Sequence, residues 1–265
     1  MKPITALLTL TLAAGALTAC DAEITTTPGG QAKAVSASSS PVPPKEALTT
    51  AVKALDTTAY NFAIKQGVMS GGGRVDPGAR TAVLDIGGDV AVGGDVGSIH
   101  VSVAYTIITP DMWIKADFGD AINKQFSMDP VHWMHVDRKK ITGTQIPLDS
   151  AGNPEVGITE LLGALGEVKR TDKTHFTGTV DVTGVEGIMA PSDTVLKKAG
   201  DKARTVPFTA TVDEHGRLTN FKIDGAAFDP DLAMELTFTG FGSVQPVTAP
   251  TNAIEAPDPV YELIG

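Results

Sequence analysis

Cysteine is nearly absent: the 265 residues contain one, Cys20, in the stretch "GALTACDAE". With no second thiol, the chain cannot build a disulfide framework within itself. Positive charge is also scarce. Twenty-one Lys and Arg face 31 Asp and Glu, for a net charge of −10. That balance excludes a nucleic-acid partner and a basic membrane-binding patch. Long apolar runs are missing too. The greasiest stretch, Ile4 to Leu17 ("ITALLTLTLAAGAL"), falls short of the about 20 residues a spanning helix needs, and nothing later approaches that length. No repeat of solenoid length occurs. The chain also lacks a Gly-x-Ser-x-Gly elbow, a Gly-Lys-Ser/Thr phosphate loop and a Ser-x-x-Lys beside a plausible helix. These gaps leave no catalytic signature, so the expectation is a protein that is not an enzyme and uses no cofactor.

The N-terminus reads as a processing signal, with Lys2 as its positive end and Ile4–Leu17 as an apolar h-region. Leu17-Thr18-Ala19-Cys20 resembles the bacterial lipobox: an aliphatic residue, two small ones, then cysteine. The resemblance implies a signal peptide over 1–19, cleavage before Cys20 and a diacylglyceryl thioether on its sulfur. An ordinary signal peptide is the alternative, but it leaves an odd exposed thiol in an oxidising compartment. Two or three acyl chains, at roughly 0.8 kcal/mol per buried methylene, anchor firmly. The expected location is the extracytoplasmic face of the cell membrane, with the membrane itself as one partner.

Residues 21–44, "DAEITTTPGGQAKAVSASSSPVPP", hold almost no large apolar side chains and read, with Cys20, as a flexible stalk. From residue 45 the texture changes, and 45–265 reads as one domain. Leu48, Val52 and Leu55 repeat at helical spacing behind Pro44. Strand alternation follows in "YNFAIK", "SIHVSVAYTI", "HFTGTVDV", "VPFTATVD", "GRLTNFKID" and "LAMELTFTG". The fourth and fifth of these form a hairpin turning at Asp213–Gly216. "VGITELLGALG" and "APSDTVLKKAG" interrupt as short helices, the second capped by Ser and Asp and ended by Gly200. This order is α+β with a long antiparallel sheet.

Candidate chemical sites resolve into structure. His132 and His135 sit at i and i+3 of a strand-like stretch, on opposite faces, and do not chelate one metal. The two "GGDV" copies within 87–97 read as turns flanking a short strand. Arg138, Lys139 and Lys140 form the dense basic run, which a solvated turn explains.

Two segments carry a family resemblance. One is "ITPDMWIKADFGDAINKQFSMDPVHWMHVDRKKI" (108–141), and the other is "VPFTATVDEHGRLTNFKID" followed by "LTFTGFGSVQPVTAPTNAI" (206–254). Together they resemble the actinobacterial LppX/LprG-type lipoproteins, whose domain is similar to the lipoprotein carrier LolA. The resemblance implies an antiparallel half-barrel whose concave face is covered by helices. It also implies an apolar cavity that holds the acyl chains of a lipid or lipoglycan. On this sequence the apolar strand faces that would line it are Phe62, Ile64, Val101, Val103, Tyr105, Ile107, Phe176, Val180, Val182, Met234, Leu236 and Phe238. Each of these fits a packed core equally well. An envelope sensor or interaction module, binding an unidentified protein partner and transporting nothing, is the alternative function.

Overall fold

The computed structural model describes residues 42–92, 97–141, 146–149 and 151–264. The expected signal peptide, Cys20 and nearly all of the stalk lie outside them. The chain is α+β, with an open twelve-stranded sheet in the order β12-β6-β5-β4-β3-β2-β1-β11-β10-β9-β8-β7. The strands are β1 (Tyr60–Gln66), β2 (Met69–Asp76), β3 (Thr81–Val92), β4 (Gly97–Ile108), β5 (Asp111–Asp117), β6 (Met134–Val136), β7 (Leu165–Arg170), β8 (His175–Val180), β9 (Val206–Val212), β10 (Leu218–Ile223), β11 (Met234–Thr239) and β12 (Ile254–Glu255). Two meanders, β1 to β6 and β7 to β11, are sewn together where β1 pairs antiparallel with β11. Among the described strands only β12, against β6, runs parallel to its neighbour.

Strand parity gives the sheet one apolar and one polar face. Tyr60, Phe62 and Ile64 of β1 are buried, and the register carries this face through Phe238, Leu236 and Met234 of β11 and Phe221 and Ile223 of β10. Aromatic rings reinforce the seam. Tyr60 meets Phe238 edge-on at 5.5 Å, and Phe208 stacks on Phe221 at 5.1 Å. The opposite face presents Asn61, Lys65, Asp85, Lys222, Glu235 and a series of threonines.

Short helices cover the apolar face. Pro44 starts α1 (Pro44–Lys53), whose Leu48, Ala51 and Val52 are buried at helical spacing. Ile158 and Leu161 do the same from α3 (Ile158–Gly163). In α4 (Asp193–Ala199) the Ser192 hydroxyl accepts from the Val195 amide, Lys197 and Lys198 occupy the last turn, and Gly200 at φ +56° ends the helix. The last helix, α5 (Asp258–Ile264), buries Val260 and Ile264. Between β5 and β6 lies α2 (Asp120–Gln125), which the sequence pattern does not announce; Phe118 and Phe126 beside it pack on the core.

Two glycine expectations separate here. The first "GGDV" copy, 87–90, is not a turn but the interior of β3, paired residue by residue with Val101–His100 and their neighbours on β4. Four residues of the second copy, 93–96, lie outside the described residues. In β2, Gly71 and Gly73 occupy the apolar face opposite Ile64 and Phe62. A Cβ on Gly73 would lie 1.8 Å from the Val83 carbonyl oxygen, and one on Gly71 would lie 1.9 Å from that of Asp85. Only glycine lets β3 approach so closely.

After β11 the chain runs as an irregular segment, 240–253, with turns at both ends, back across the first meander. The Arg74 Nε, on the polar face of β2, donates to the Gln245 carbonyl at 2.9 Å. The segment ends where the Ile254 amide donates to the Trp133 carbonyl and the Ala256 amide to that of His135, both at 2.9 Å.

Candidate functional site

The residues singled out for a cavity do share one face. Phe62, Ile64, Tyr105, Ile107, Phe176, Val180, Met234, Leu236 and Phe238 are all buried on the inner strand surface. Val182 is buried as well, but in a 3-10 turn (Val182–Gly184) that follows β8, not in the strand. Val101 and Val103 are half-buried toward the Val92–Gly97 end of the β3–β4 hairpin, away from the buried Tyr105 and Ile107. Burial pushes the Tyr105 hydroxyl up to about 12. It also pushes the Tyr60 hydroxyl up, with the nearby Glu155 and Asp56 carboxylates adding to the effect.

Against this face the covering segments pack tightly. Where Leu161 of α3 and the turns carrying Val182, Val185 and Met189 meet Ile223 and Met234, the gap between them is about 10 Å³. That volume is at the limit for a single water, and its walls are chiefly apolar.

A second, larger concavity of about 620 Å³ lies at the β5–β6–β12 edge. Its character is opposite: Asp111, His135, Asp137, Arg138, Lys139 and Glu255 line it, with Pro110 and Val136. Strand parity puts His135 on the outer face, beside Trp113 at 5.4 Å between ring centres. Its Nε2 lies 3.1 Å from Asp111 Oδ1, and its Nδ1 lies 3.4 Å from Glu255 Oε1. His132 is elsewhere, in the loop before β6, with its Nδ1 2.8 Å from Asp129 Oδ2. Among the described residues, no cluster of His, Cys, Asp and Glu has the geometry of a metal site.

The basic run is the turn expected of it. Arg138–Lys140 forms a 3-10 turn capped by the Asp137 side chain, which accepts from the Lys139 amide. Arg138 donates to the Gly152 carbonyl at 2.9 Å, and Lys140 pairs with Asp258 at the same distance. Sequence reasoning did not find the Asp111–His135–Glu255 group. Its members are far apart in the chain, and a two-residue parallel strand delivers Glu255, so no local spacing marks it.

No protein-family model matches the chain, and no curated protein matches it. Among solved structures, an uncharacterized conserved protein from Thermus thermophilus is similar at 12% identity and a TM-score of 0.34, over 80% of this chain and 96% of that one. A likeness of that size identifies no family.

Proposed function

We propose that the chain is a lipoprotein anchored through Cys20 to the extracytoplasmic face of the membrane, and that its sheet is a LolA-like half-barrel that takes acyl chains of a lipid or lipoglycan against its inner face. The observation that supports this reading is the form of the cover. The apolar face runs without interruption from β5 to β8, and it is closed by separate short helices and turns, each burying only a few side chains. Such a cover can part without dismantling the sheet, because the strand ladder does not pass through it. The protein carries out no catalysis in this reading.

The test is mass spectrometry of an apolar extract from the domain purified without residues 1–41. Acylated molecules in stoichiometric amount are expected, and a clean extract together with no uptake of added lipid overturns the proposal. The charged cleft at the β5–β6–β12 edge favours the second reading, an envelope interaction module. That reading expects a stable protein complex with lipid-free domain, weakened by Lys139→Glu in the cleft.

A further inference from the structure

We propose that the β7 edge of the sheet is a docking surface for a second copy of this chain, paired antiparallel about Val168. The inference is independent of lipid binding. It rests on the order of the edge residues, Leu165-Gly166-Glu167-Val168-Lys169-Arg170. Reversed on itself about Val168, this strand sets Glu167 opposite the partner's Lys169, and Lys169 opposite the partner's Glu167. Gly166 then meets the partner's Arg170, so no like charges oppose one another.

The backbone on this side is free to pair. The sheet ends at β7, which is bonded to β8 alone; the other end is β12, only two residues long. The Thr171 amide donates to the His175 carbonyl at 3.0 Å, and this bond fixes the phase of the ladder. Thr171 and Lys169 turn their N–H and C=O groups to β8, whereas Val168 and Arg170 turn theirs outward. Among the described residues no backbone bond from Val168 or Arg170 leaves the sheet. A side-chain bond to the strand, from Lys45 Nζ to the Leu165 carbonyl, lies at its first residue. Centred on Val168, an antiparallel pair lets the Val168 N–H of each copy donate to the Val168 carbonyl of the other.

Both faces of the strand agree with this centre. Glu167 and Lys169 are exposed with their charged ends 3.1 Å apart, so they share one side of β7. They flank Val168, where cross-strand side chains of an antiparallel pair stand closest. On the inner side Val168 is half-buried against the core, and the pairing adds apolar contact there. The Arg170 guanidinium lies over the Phe176 ring at 4.8 Å, drawn back toward β8 and off the edge. An edge of lysines alone repels its own copy. Here the two signs sit symmetrically about an apolar middle, which suits an antiparallel copy and sets Glu against Glu in a parallel one. The contact is isologous and closes at two chains. Register shifts between Leu165 and Val168, which keeps the regular stretch short and the association weak and reversible.

Sedimentation velocity of the full-length chain over a concentration series tests this. The wild type should move from monomer toward dimer and no further. Glu167→Lys and Lys169→Glu each set two like-charge pairs across the seam and should raise the dissociation constant about tenfold or more. An equimolar mixture of the two variants should associate as the wild type does, because Lys then faces Glu at both places. Melting points of both variants should match the wild type, since the two side chains are exposed. Hydrogen exchange places the contact: the Val168 amide should gain protection as concentration rises. A wild type that stays monomeric at the highest concentrations reached, a mixture no better than its separate variants, or a dimer that leaves the Val168 amide unprotected overturns the proposal.

Discussion

Glu155 and Asp172 are carboxylates with opposite fates. Glu155 precedes α3 and its Oε1 accepts from the Thr159 amide at 2.8 Å, yet burial pushes its carboxyl up, against that hydrogen bond and with the Glu160 and Asp149 charges adding. A raised carboxyl binds its proton more tightly folded than unfolded. Stability therefore rises as pH falls through its titration, and the charge is a cost at neutral pH. Glu155→Gln keeps the acceptor and removes the charge. It should raise the urea midpoint at pH 7 and shrink the gain on acidification; an unchanged midpoint at pH 7 contradicts this. Asp172 is held down to about 2, first by the Thr174 amide and then by the His175 ring and amide. Its stabilisation is whole above the ordinary aspartate range near pH 4 and drains away as pH falls toward about 2. Urea titrations at those two pH values should show a smaller acid loss in Asp172→Asn than in the wild type. The Asp172 turn is legible from its neighbours in sequence. The Glu155 shift is not, because burial is its largest cause and no local spacing announces it.

Among the elements, alternation was readable in most of the strands that carry large apolar residues on one side, although β3, with Leu84 and Ile86 inward, was not read. The β1, β4, β9, β10 and β11 ladders lie where period-two patterning places them. The same pattern is silent on β2, whose Gly71–Gly73 run has no side chains to alternate, and the first GGDV copy, read as a turn, concealed the end of β3. Tertiary approach decided those cases, and it separates two glycines sharply. Gly73→Ala sets a methyl into the β3 backbone and should cost about 3 kcal/mol or more. Gly163 is the last residue of α3, and a methyl group added there would meet no atom within 4 Å. Gly163→Ala should stabilise by about 0.4–1 kcal/mol through the unfolded chain. Urea midpoints of the two variants check both numbers, and equal effects would mean that the β2–β3 approach relaxes freely.

For the molecule as a whole, the strand-face pattern located the inner surface but could not say whether it lines a core or a cavity, since both need the same residues. Val103 and Val180 now separate the possibilities. Val180 is fully buried among close neighbours, so Val180→Trp overpacks and should cost about 1–3 kcal/mol or more. Val103 is half-buried where the β3–β4 hairpin leaves the core, and Val103→Trp should shift the melting point little. If acyl chains enter along that end of the hairpin, Val103→Trp also lowers lipid uptake. Thermal melts and uptake measured on the same preparations distinguish a blocked path from a damaged fold.

The seam between β1 and β11 has a consequence in time rather than in space. The first strand of the domain is paired on one side by β2 as soon as that hairpin closes, but its other side waits for residues 234–239, near the end of the chain. Until they emerge, the N-terminal meander carries an unfilled edge, and the contact that fills it has high sequence separation and is slow to form. A polypeptide delivered N-terminus first is thus vulnerable to mispairing at this edge until β11 has emerged. Nascent chains stopped short of β11 should aggregate, whereas chains released only a few residues beyond Thr239 should not.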